Sequence, residues 1–79
     1  MLAAATTAAE LEADVRYFGR QYEEAVATVQ TYERFAAEHD AKGEATRADL
    51  CRRLAEGARK GVDRARAEYD AAVAALAAY

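Results

Sequence analysis

Two stripes of residues, matched in length and rhythm, constrain this chain more than anything else in it. The first is Leu11, Val15, Phe18, Tyr22, Ala25, Val29, Tyr32, Ala36 and His39. The second is Cys51, Ala55, Ala58, Val62, Ala65, Tyr69, Ala72, Leu76 and Tyr79. Each advances by four and then three residues without a break. That is the heptad rhythm which keeps one face of a helix turned toward a neighbour. No stretch alternates apolar and polar residues, so strands find no support and the fold class is all-α.

The space between the stripes reads as a reversal. "DAKGEAT" holds Gly43, which suits the left-handed position that ends a helix, with Lys42 beside the helix's negative end. Upstream, Thr7 and Glu10 are spaced as a capping box, which satisfies two free N–H groups at a helix start. Downstream, Thr46 with Asp49 is expected to cap the second helix. Residues 1–79 are therefore expected to form a single antiparallel helical hairpin. Helix 1 is placed at about 8–39, the turn at about 40–45 and helix 2 at about 47–78. Leu2 to Thr6 either extend the first helix or fray.

A register follows. Folding about Gly43 and Glu44 pairs Ala36 with Cys51, Tyr32 with Ala55, Val29 with Ala58 and Ala25 with Val62. It continues through Tyr22 with Ala65, Phe18 with Tyr69, Val15 with Ala72 and Leu11 with Leu76. Large meets small in most layers, which lets the helices approach without voids. A register shifted by one heptad, centred near Arg47, also pairs large with small. The first is preferred because it puts the glycine at the turn. Gly19 interrupts the first helix at an e position, at a cost of up to about 1 kcal/mol unless it permits close contact.

Composition bears on what such a hairpin can do. Alanine is about 29% of the chain, several-fold above ordinary usage. An alanine seam removes little apolar area from water, so a two-helix monomer is marginal and self-association or a partner is expected. Tyr17, Val26, Phe35, Leu50, Leu54 and Val73 flank the seam at c, e and g positions. A second hairpin laid over them, giving a four-helix bundle, or a larger assembly would cover them. The five tyrosines serve first as packing and second as contact residues.

Charge and chemistry-bearing residues point less far. Residues 47–66 hold seven basic residues against three acids, whereas residues 1–42 hold eight acids against four bases. This reads mainly as a basic helix lying beside an acidic one, with supporting pairs Asp49–Arg53, Glu56–Lys60 and Arg64–Glu68. The alternative is a nucleic-acid contact through Arg52, Arg53, Arg59 and Lys60, which the net charge of −3 and the lack of interleaved aromatics disfavour.

His39 and Cys51 could face each other near the turn, but zinc needs three or four ligands. Ala36 stands where a di-iron hairpin needs glutamate. Glu23 and Glu24 point about 100° apart and do not converge. No phosphate loop, Ser/His/Asp set or Cys-x-x-Cys is present. No cofactor, metal, membrane or small-molecule substrate is therefore expected. One cysteine and no secretory signal suggest the cytoplasm or a phage particle. The Ala/Arg/Glu/Asp bias matches a high-GC bacterium or phage. The expected role is a non-enzymatic structural or adaptor protein; the alternative is a small nucleic-acid-binding or regulatory module.

Overall fold

A computed structural model describes residues 7–79. Two α-helices make up the described chain: α1, Ala8–Ala41, and α2, Ala45–Ala77. They lie side by side along their whole length as an antiparallel hairpin with overall dimensions of 55 × 18 × 15 Å. Leu2 to Thr6 lie outside the described residues.

α1 starts at the capping box. The Glu10 amide donates to Thr7 Oγ1 at 3.1 Å, and the Thr7 amide donates to Glu10 Oε1 at 2.8 Å. α1 ends at Gly43, whose φ of 73° only glycine adopts readily. The Gly43 amide donates to the Asp40 carbonyl at 3.0 Å, and the Glu44 amide donates to the His39 carbonyl at 2.9 Å. Those two bonds close a Schellman turn and satisfy carbonyls the helix end would leave free.

The turn is tighter than the sequence suggests, and the expected cap is not the one used. α2 begins at Ala45 with Glu44 as its N-cap, and no side chain caps it. Thr46 is already helical and exposed. The physical reason is that Glu44 closes the Schellman turn with its amide and starts the next helix with its carbonyl, which accepts from Ala48 at 3.0 Å. No residue is left over to form a separate cap.

Both stripes face inward. Every residue of the first is buried or half-buried, and so is every residue of the second except Tyr79. The tight turn lengthens the second stripe by one step, to Ala48, which is 0% exposed. Tyr79 breaks the expectation at the other end: it is 71% exposed, beyond the end of α2. Its level on α1 is Ala8, the first helical residue, too small to cover a ring.

Tyr69 fixes the register. Its ring lies against Gly19, where a Cβ would stand 3.2 Å from Tyr69 Cε1. It also stacks on Tyr22, with ring centres 6.4 Å apart and planes 16° apart. The heptad-shifted register would have set Tyr69 against Ala25. The hairpin is thus folded about its turn as the first register requires, and Gly19 is a seat for an aromatic ring and not a flaw in the helix.

Candidate interaction surface

The seam buries small side chains. Its buried members are Val29, Ala36, Ala48, Ala55, Ala65 and Ala72, and no large side chain among the described residues is wholly enclosed. The larger seam residues, such as Phe18, Tyr32 and Leu76, are half-buried, and a further set of large apolar groups sits outside: Tyr17, Phe35, Leu50, Leu54, Val73 and Tyr79 are all exposed. Five of the six flanking residues singled out from the sequence are therefore on the surface. Val26 is the exception; it is half-buried and lines a shallow groove of about 400 Å³ with Val29 and Val62.

The flanking residues do not share one face. The two rims of the hairpin differ in kind. On the first, Arg52 donates to Asp40 at 2.7 Å and Arg59 donates to Glu33, so two ion pairs tie α2 to α1. These are e positions on both helices. Val26 stands seven residues before Glu33, and Val73 fourteen after Arg59, so both belong to this rim. The Val26 groove is closed by Glu33 and Arg59.

The second rim carries Tyr17, Phe35, Leu50 and Leu54. Tyr17 and Phe35 are eighteen residues apart, about five helical turns, and so lie on the same side of α1. Val26, nine residues from Phe35, points about 180° away. No interhelical ion pair crosses this second rim among the described residues. Between Phe35 and Glu24 it presents Thr31 and Thr28, whose hydroxyls donate back to the carbonyls of Ala27 at 2.9 Å and Glu24 at 3.0 Å. On α2 it presents Gly57 and Gly61, each with open space where a Cβ would stand. In sequence the six flank residues look like one group, and these four small ones carry no apolar bulk to mark them. Their heptad positions, sorted by rim, are the signal that separates them.

The arginines of α2 are spent unevenly. Arg52 and Arg59 bind acids of α1, and Arg52 also donates to Asp49 at 2.8 Å. The hydrogen bonds that Arg52 donates to Asp49 and Asp40 raise its pKa further, and the same contact with Arg52 lowers that of Asp49. Asp49 is thereby taken by Arg52 and not by Arg53. The expected pairs Asp49–Arg53, Glu56–Lys60 and Arg64–Glu68 do not form. The pairs four residues apart that do form are Arg34–Glu38 and Arg66–Asp70, at 3.9 and 3.4 Å, and Arg47 also lies 3.9 Å from Glu44. Arg53 and Lys60 are exposed with no ion-pair partner among the described residues.

At the turn, His39 Nδ1 donates to Glu44 Oε1 at 2.6 Å, a bond that holds the Glu44 carboxyl below the usual carboxylate range. His39 is thus engaged with Glu44 beside the seam. Cys51 is a half-buried free thiol. No group of three or more His, Cys, Asp or Glu side chains placed to hold a metal occurs among the described residues. No helix among them is long and apolar enough to cross a membrane. Comparison with known proteins gives no matching family model, no matching curated protein and no matching solved structure.

Proposed function

We propose that this chain is a non-enzymatic structural or adaptor protein that works by helix–helix association, with itself or within a larger assembly in the cytoplasm or a phage particle. The observation that carries the reading is how little large apolar surface the hairpin encloses. The buried positions of the seam are one valine and five alanines, its larger side chains are only half-buried, and Phe35, Leu50 and Leu54, 40–55% exposed, stand outside. Burying a leucine or phenylalanine contributes about 1.5–3 kcal/mol, and burying an alanine far less. Hydrophobic stabilisation therefore remains to be gained by covering a surface left open by the hairpin.

Circular dichroism over a dilution series, with sedimentation in parallel, tests the reading. Helicity and mass should fall together as the protein is diluted, because association contributes to folding. A fully helical, cooperatively melting monomer at every concentration would overturn it.

A further inference from the structure

We infer that the occupant of the bare rim is a second copy of this chain, docked in parallel about a two-fold axis along the hairpin, with α1 of each copy lying on α2 of the other. The inference rests on the helix-association reading above and names its partner and geometry.

Area is the first argument. The chain exposes 5588 Å². A compact protein of 8.6 kDa exposes about 4,700 Å². The elongated shape, 55 × 18 × 15 Å, accounts for surface of this kind and leaves room along one face for the roughly 800 Å² that each partner contributes to a standard interface.

Complementarity is the second. With Tyr69 seated on Gly19, residues equally far from the turn stand at one level. A two-fold axis along the hairpin preserves levels and swaps helices. Phe35 then meets the partner's Leu54, with Leu50 beside it, and the two copies build one apolar cluster. Thr28 and Thr31 meet the partner's Gly61 and Gly57, where neither side has bulk to hold the helices apart. Tyr17 meets the partner's Ala71, large against small.

Charge is the third. Glu24 and Arg64 stand at one level on the same rim, and neither makes an ion pair among the described residues. The two-fold axis brings Glu24 of each copy to Arg64 of the other. Only Lys42 and Arg47 place like charge at one level, and both are exposed at the edge of the turn. Turning the partner end for end would lay like helix on like helix and, at full overlap, set Leu54 against Glu68. The parallel arrangement keeps Leu54 on Phe35, with Leu50 level with the exposed Glu38 near the turn, and all adjacent helices in the resulting bundle run antiparallel.

The test is a charge-swap cycle read by sedimentation equilibrium, with helicity followed on the same samples. Glu24→Arg and Arg64→Glu should each raise the dimer dissociation constant about tenfold, since each creates two like-charge contacts. The double swap should restore it. Effects confined to each helix would add in the double variant instead of cancelling. Leu54→Glu should abolish dimerisation.

Dimers indifferent to all four variants would overturn the inference and leave the association reading standing. A wild-type chain that is monomeric and unfolded alone would do the same, pointing to a different protein as partner. A wild-type chain that is monomeric and fully folded would sink both.

Discussion

The two rims of this hairpin share a backbone and nearly the same spacing, yet they solve different problems. One is closed by Asp40–Arg52 and Glu33–Arg59, and its aliphatic residue Val26 is drawn into a groove beneath the second pair. The other has no cross-helix pair, and it offers Phe35, Leu50, Leu54 and a run of small residues to solvent. Exposed ion pairs fix which helices lie together and in what register more than they stabilise them. Uncovered apolar groups do the reverse: they offer stabilisation only once something covers them. The difference teaches that the hairpin specifies its own fold on one side and is left incomplete on the other.

The seam between the rims sets the scale. Ala55, 1% exposed, should tolerate no enlargement. Ala55→Leu is expected to cost about 1–3 kcal/mol or more through overpacking. Thermal melting should show a drop of about 4–8 °C for each kcal/mol in a domain of this size. A change of that size on either rim, with the seam indifferent, would mean the stripes are not the contact.

The rims are then separated by paired substitutions. Leu54→Glu should remove association and leave, at every concentration, the lower helix content that the wild-type chain reaches only on dilution. Arg59→Ala should cost less than about 1 kcal/mol and leave association untouched. Sedimentation and melting of the two variants side by side check this; equal effects on association would erase the distinction between the rims.

Glycines sharpen the comparison further. In a Leu54→Glu background, where the rim stays open, Gly57→Ala should stabilise the hairpin by about 0.5–1 kcal/mol, because alanine is the better helix former. Gly19→Ala should fall short of that gain or lose stability, since its Cβ would stand 3.2 Å from the Tyr69 ring. Chemical denaturation of both variants reads the contrast. Equal gains would show that Tyr69 is not held against Gly19.

Acid should have the smallest effect. The Glu44 and Asp49 carboxyls have lowered pKa values, caused first by hydrogen bonds from His39 and Arg52. A depressed carboxylate contributes stability that is fully present above its unfolded pKa and is lost as pH falls through its folded one. Melting temperature should therefore be flat with respect to these groups at neutral pH and decline below about pH 4. Glu44→Gln should shrink the decline. Both groups lie at the surface, so the change is modest. An unchanged acid profile in Glu44→Gln would remove the His39 contact from the account.

Much of this architecture is written in the chain. The four–three stripes give both helices, and the glycine between them gives the turn. Thr7 and Glu10 give the first cap. What the sequence leaves hidden depends on distances across the hairpin. Thr46 looks like a cap until Glu44 is seen to serve the end of one helix and the start of the next. Asp49–Arg53 looks like a pair until Arg52 reaches Asp49 and Asp40 together. The six flanking apolar residues look like one surface until the register, fixed by Tyr69 on Gly19, sorts Val26 and Val73 to the rim closed by ion pairs. Local chemistry is legible from neighbours in sequence; the candidate interface is legible only once each residue's level is known.

The most direct measurement compares thiol reactivity on the two rims as concentration changes. In a Cys51→Ser background, a cysteine replacing Gly57 reports on the bare rim and one replacing Gln30 reports on the rim closed by ion pairs. Labelling at Gly57→Cys should be fast in dilute solution and slow sharply as the protein is concentrated, while labelling at Gln30→Cys should stay fast throughout. Rates that change alike at both positions, or protection at Gln30→Cys alone, would contradict the account.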